Sequence, residues 1–240
     1  MRRLFLSLLL LTLPFFSQAV NERRHLIYES FVTGNMNTWA QTVRSMENTT
    51  EKHALSWKLE LAQYYYGLIP YYLGTQNKKM AESTIEKQEK LLHEILKENP
   101  KQATAMALMG STTAFQIALN RLKILVLGKE SLQWLKKALD ADPNDTQALS
   151  DMGWAMLRAP AVFGGDPDAG IRLFYKGIQQ YEKQQDTKEN WMYLQLLLIT
   201  ARAQIAKGET EKAALLCQKA LSVEPRFRRA KDTLNGLKSH

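Results

Sequence analysis

Two adjacent glycines, Gly164 and Gly165, stand before Asp166-Pro167-Asp168 and a run of helical character that ends near Ile178. A glycine pair ahead of a helix raises the question of a loop that cradles a phosphate. That chemistry needs Lys followed by Ser or Thr after the glycines and a strand before them, and neither is present. The two acids would also repel a phosphate at the helix N-terminus. Asp166 suits an N-cap instead, Pro167 the first helical position and Asp168 the positive end of the helix dipole. With Pro160 ending the helix before it, the stretch reads as an elongated elbow between two packed helices.

The remaining chemistry-bearing residues do not assemble in the sequence. His25, His53, His93 and His240 show no i, i+3 or i, i+4 pairing, so no metal site is expected. Cys217 is the only cysteine; no internal disulfide can form, and no activating partner marks it as a nucleophile. No Gly-x-Ser-x-Gly, His-Glu-x-x-His or acidic calcium-loop pattern occurs. A hydrolytic pair among the 24 carboxylates is compatible with the chain, but no spacing singles one out. Asn48-Thr49-Thr50 and Asn144-Asp145-Thr146 match the glycosylation pattern, yet both fall at helix boundaries where such residues cap. No catalytic residue and no cofactor is expected, and the chain reads as a non-enzyme.

The elements that would position a site are helical. In 240 residues there are seven prolines and twelve glycines, Val and Ile are sparse, and no long stretch alternates apolar with polar. At the start, Arg2 and Arg3 precede an uncharged stretch from Leu4 to Phe16, followed by the small residues Ser17 and Ala19. This layout predicts a signal peptide over 1–19, cleaved after Ala19, and a mature protein that is periplasmic or secreted with no transmembrane span. Its removal takes away two arginines and no acid, so the net charge falls from +8 to +6. Export makes nucleic acid an improbable target; acidic peptides, small anions and anionic membrane surfaces suit the charge.

Breakers and periodicity predict helices over 22–33, 37–47, 51–73, 77–98, 101–127, 129–141, 145–158, 166–184, 187–206, 209–222 and 226–238. Gly34, Gly74, Gly128 and Gly208 follow apolar runs as C-terminal caps would. Pro100, Pro143 and Pro225 lie 43 and 82 residues apart, close to one and two units of a repeat. Ser131, Leu135, Ala138 and Pro143 have spacings of four, three and five, and Ala213, Cys217, Ala220 and Pro225 repeat them. Gln88, Leu92, Ile95 and Pro100 follow with larger residues, and Gly170, Phe174 and Gly177 share the first two intervals.

On these residues the chain resembles the tetratricopeptide repeat (TPR) family, whose second helix carries a small, a large and a small residue and a closing proline. Trp57 followed by Tyr64 resembles the first-helix signature, with Glu60 and Leu61 where leucine and glycine are usual. Units here run past forty residues against 34 in the family, so turns or elbows are inserted. The resemblance covers roughly Lys52 to Pro225. It implies an all-α, right-handed α-α superhelix, a TPR-like solenoid of about five helix pairs plus a C-terminal capping helix. A single repeat domain is expected over 20–240, with a divergent N-terminal capping pair at 20–48 and a capping helix at 226–238.

Such a stack leaves a concave face lined by the first helix of each pair. Carried over from the family frame, that face presents Lys58 and Tyr65, then Gln116, Asn120 and Lys123, then Trp154 and Arg158, then Arg202. One base per unit with aromatic residues between implies a groove for a protein or peptide segment, acidic in character. A non-enzymatic scaffold or adaptor is the function implied. The alternative is a periplasmic carrier or transporter-accessory protein for a small organic anion.

Overall fold

The computed structural model describes residues 20–49, 54–161 and 164–238; the expected signal peptide lies outside them, as do Thr50 of the first glycosylation pattern and Val162 and Phe163 of the glycine elbow. Every regular element among the described residues is helical. In chain order they are α1 (20–33), α2 (Met36–Glu47), α3 (Leu55–Gly74), α4 (Lys78–Glu98), α5 (Ala103–Leu119), α6 (Ile124–Ala141), α7 (Thr146–Arg158), α8 (Pro167–Lys183), α9 (Trp191–Ala206), α10 (Thr210–Val223) and α11 (Arg228–Lys238). A short 3-10 turn, Arg121–Lys123, joins α5 to α6. Among the described residues no helix is long and apolar enough to cross a membrane.

Helices α3/α4, α5/α6, α7/α8 and α9/α10 pack as hairpins, and each outer helix also touches the inner helix of the next pair. One contact recurs inside the pairs. The Gln88 side-chain amide donates to the Ala62 carbonyl at 3.0 Å, and the Ser131 hydroxyl donates to the Gly110 carbonyl at 2.7 Å. In the next pair a Cβ on Gly170 would lie 2.6 Å from the Gly153 carbonyl oxygen. The sequence distance across this contact falls from 26 to 21 and then to 17 residues. A large residue one turn on fills the space left by the small one: a Cβ on Gly110 would come within 2.9 Å of Leu135, and one on Gly153 within 2.5 Å of Phe174.

Three regions differ from the sequence reading. Ala54, inside the expected helix 51–73, is extended and precedes α3, while 51–53 lie outside the described residues. The run 101–127 is not one helix: the chain leaves α5 at Asn120, whose side chain accepts from the Leu122 N–H, and Gly128 lies inside α6 instead of capping a helix. Gly34 and Gly208 do take the left-handed conformation of a helix end, whereas after α3 that conformation falls on Gln76 and not on Gly74. The expected start of a helix at 187 is also displaced. Gln185 and Glu189 have positive φ, and the chain becomes helical only after Asn190 caps α9 through the Met192 and Tyr193 N–H groups.

The glycine stretch forms the expected elbow. Asp166 accepts from the Ala169 N–H at 2.9 Å, Pro167 opens α8, and Asp168 pairs with Lys207, which follows α9. Gly164 has φ +85, and a Cβ on Gly165 would collide with the Ala159 carbonyl.

The N-terminal pair does more than cover one end. Through α2 it rests on α3: Trp39 donates its indole N–H to the Tyr64 carbonyl at 3.0 Å and lies where a side chain on Gly67 would have to go. Through α1 it reaches the far end of the stack. Phe31 lies 5.6 Å from the Trp191 ring and 5.4 Å from Phe227, and Arg226 grips Glu29 with two hydrogen bonds. Arg24 donates to the carbonyls of Lys188 and Glu189 and to Asp186, which fixes the irregular turn before α9. One core cluster therefore runs from Ile27 through Trp39 and Trp191 to Ala230, while separate clusters fill the α3/α4/α5 and α5/α6/α7 junctions.

Candidate partner-binding face

Ala62, Gly110 and Gly153 hold the same place in successive inner helices, and this fixes the register of each unit. Leu61-Ala62 stands where leucine and glycine were sought, and Lys58 and Tyr65 take the two flanking large positions. The frame expected from Trp57 and Tyr64 is one residue out. Each helix residue turns about 100° from the next, so the slip rotates the expected face of α3 by that angle.

Lys58 and Tyr65 are consequently not groove residues. Lys58 is 5% exposed, and its ammonium pairs with Glu98 at the end of α4 at 2.7 Å. Tyr65 is buried with its hydroxyl donating to Glu47 of α2, at 2.7 Å. Trp57 and Tyr64 face the N-terminal side. They line a cleft of about 680 Å³ between α1, α3 and the turn before α9, together with Arg23, Arg24 and Trp191.

The other expected residues do not come together. Gln116 is half-buried and donates to Glu89 of α4 at 2.9 Å. Asn120 and Lys123 sit on the exposed α5/α6 elbow, the first as its cap. Trp154, Arg158 and Arg202 lie toward the C-terminal ends of α7 and α9. Trp154 is half-buried, edge-on to Phe174, and the Arg158 guanidinium lies over its indole ring at 4.9 Å. Arg158 and Arg202 are exposed, and neither is ion-paired to an acid among the described residues. Arg158 lies in the last turn of α7, where the helix dipole favours a cation, while Arg202 stands further from the end of α9.

Two features were not read from the sequence. Arg229 of α11 stacks on Phe31 at 4.1 Å and Phe227 at 5.3 Å. Desolvation there, and then the nearby Arg202, push its guanidinium down to about 10. The second is a polar knot on the inner side of the stack. Tyr66 donates to Asp151 at 2.8 Å, the Gln147 amide donates to the other carboxylate oxygen at 2.8 Å, and Ser111 adds a third bond. The Tyr66 ring also touches Phe115 and Trp191, so this knot ties α3, α5, α7 and α9 at one point. Burial raises the Asp151 carboxyl to about 7, against the lowering effect of its hydrogen bonds. Its signal in the sequence was one acid between the apolar residues Leu149 and Met152.

His25 lies beside Glu189 at 3.2 Å and His93 is exposed on α4. Cys217 is fully buried on α10, and burial pushes its thiol up, away from nucleophilic use at neutral pH.

The recurring small-on-large contact across successive hairpins decides the architecture. The stack is a TPR-like α-α superhelix. No protein-family model matches the sequence, and no curated protein matches it. Among solved structures, the chain is similar to a crystal structure of MamA at 18% identity, over 68% of this chain and 81% of that one, with a TM-score of 0.45. A second MamA structure is similar at 19% identity over 71% and 81%, with a TM-score of 0.44. YrrB, described as a TPR protein with an unusual peptide-binding site, is similar at 17% identity over 85% and 97%, with a TM-score of 0.42. In this TPR-like stack Trp39 of the N-terminal pair and Tyr66 of α3 both meet Trp191 of α9, and Arg158 and Arg202 are exposed on α7 and α9.

Proposed function

We propose that the protein is an exported, non-enzymatic adaptor that binds an acidic segment of a protein partner along the stripe formed by Trp154, Arg158 and Arg202. The observation that carries this reading is that Arg158 and Arg202 stay exposed without an acidic partner among the described residues, on inner helices of neighbouring units, one of them stacked on an aromatic ring. Most other bases that approach the inner elements, Lys58, Arg24 and Arg226 among them, are already paired. A guanidinium laid over an indole keeps its edge free to fork onto a carboxylate. The opening residues 1–19 support the exported location by their charge and apolar pattern.

The experiment compares affinity capture from the cell envelope with the wild-type protein and with Arg158→Glu/Arg202→Glu. The expected result is a partner recovered by the wild type, released at raised salt and lost in the variant. Equal recovery by both, or none above a control, removes the reading.

The cleft beside Trp57 favours a second reading, a carrier for a small organic molecule, because about 680 Å³ suits such a ligand. Its arginines argue against an anion. Arg23 pairs with Glu60 at 3.3 Å and Arg24 with Asp186 at 2.6 Å, so the wall is internally neutralised. Native mass spectrometry of the purified protein tests it: a retained small ligand supports the carrier, and a bare mass counts against it.

A further inference from the structure

The α5/α6 elbow carries a surface that the adaptor reading does not use. Residues 121–126, Arg-Leu-Lys-Ile-Leu-Val, are exposed without a break. Leu122 and Leu125 are each 85% exposed, Val126 74% and Ile124 52%. Leu122, Leu125 and Val126 follow at i, i+3 and i+4, so they project from one side of the helical turn. Arg121 and Lys123 flank them, and Lys129 continues the same side four residues after Leu125. The neighbouring α3/α4 tip adds Lys78, Lys79 and the partly exposed Met80. Two acids stand in these tips, Glu82 and Glu130, and the first is already engaged by Lys78 at 3.7 Å.

A soluble fold rarely leaves four large aliphatic side chains together on a protruding turn unless something covers them. The charge around them selects the cover. An apolar pocket on another protein takes up aliphatic residues but has no need of a border of bases. An anionic bilayer surface needs both: aliphatic side chains enter the boundary between headgroups and acyl chains, and bases meet the lipid phosphates. We propose that the α5/α6 elbow, aided by the adjacent α3/α4 tip, docks the protein peripherally on an anionic lipid bilayer. The inference is independent of the cationic stripe, since neither Arg158 nor Arg202 takes part.

The test is local to the elbow. In the full chain, Leu125→Cys is labelled with an environment-sensitive fluorophore; Cys217 is fully buried and leaves the new thiol as the reactive one. A second protein carries the label at Leu215, exposed on α10, as a control. On vesicles of phosphatidylcholine with phosphatidylglycerol, the label at 125 is expected to shift to the blue and to gain severalfold protection from iodide, while the label at 215 stays aqueous. Arg121→Gln/Lys123→Gln/Lys129→Gln is expected to weaken the partitioning about tenfold or more. Because the readout sits at residue 125, binding through the apolar stretch Leu4–Phe16 cannot mimic it. A label at 125 that stays aqueous on anionic vesicles overturns the proposal, as does an equal response to pure phosphatidylcholine. A concentration-dependent shift without lipid would assign the elbow to a second copy of the chain and overturn it equally.

Discussion

Phe31 and Trp191 meet with ring centroids 5.6 Å apart, joining the first described helix to the last hairpin of the stack. Repeat stacks usually carry stability as a sum of nearest-neighbour terms, with ends free to fray independently. Here the N-terminal pair shares one core with α9, α10 and α11, so the two ends are energetically linked.

Phe31→Ala is expected to lower the unfolding free energy by about 3 kcal/mol, the low end of the range for a buried Phe lost from a core. Hydrogen exchange then reports where the loss is felt. Protection is expected to fall in α9 and α11 as well as in α1, and a loss confined to α1 would show that the ends are not coupled.

The repeat contact predicts opposite outcomes for two glycine substitutions. Gly153→Ala places a methyl 2.5 Å from Phe174 and 2.9 Å from the Gly170 carbonyl, and is expected to cost about 1–3 kcal/mol in urea unfolding. Gly128→Ala, inside α6 and no closer than 3.7 Å to Ile124, is expected to gain about 0.5–1 kcal/mol from helix propensity. Similar effects at both sites would mean that the hairpin contact does not set the packing.

The knot at Asp151 makes stability depend on pH. Burial raises the folded carboxyl to about 7, above the ordinary value of 3.8, so the fold favours the protonated form. The resulting stabilisation is complete below about pH 4 and is lost as pH rises toward 7, by an amount on the order of 4 kcal/mol at most. Asp151→Asn is expected to flatten that slope. Urea titrations at pH 5 and pH 8 check it: an unchanged difference between the two pH values in the variant would assign the dependence to other groups.

Lys58 and Glu98 test the corrected register. Lys58→Met, which replaces a buried ammonium with an apolar chain of similar length, is expected to stay within about 1 kcal/mol of wild type. Glu98→Ala leaves that ammonium without its acid and is expected to cost about 1–3 kcal/mol, moderated because Glu98 is itself half-exposed. Chemical denaturation of both variants distinguishes a buried pair from a solvent-facing groove cation, whose replacements would both be near neutral.

The outer helices were legible because they are amphipathic: Leu135, Phe174 and Cys217 recur on the single buried side of α6, α8 and α10. The inner helices were harder. Helix α3 buries Trp57, Leu61 and Tyr64 in the core shared with the N-terminal pair and Lys58 and Ala62 toward α4 and α5, so apolar residues occur on most of its sides and periodicity cannot fix the frame. The aromatic spacing Trp57–Tyr64 then outweighed the adjacent Leu61-Ala62, which was the better marker. The burial of α9 on nearly every side had the same origin, since its wrapping depends on α1, far away in sequence. Of the candidate site, Trp154, Arg158 and Arg202 lie on the inner helices α7 and α9, whereas Asn120 and Lys123 sit on an elbow that a capping asparagine places eight residues before Gly128.

The shortening of successive hairpins turns their tips into a staircase. Beyond the recurring contact α3 continues for twelve residues, α5 for nine and α7 for five, so the treads drop by ~4.5 Å and then ~6 Å. The ends of the inner helices therefore step back along the stack, so no flat partner meets all three alike.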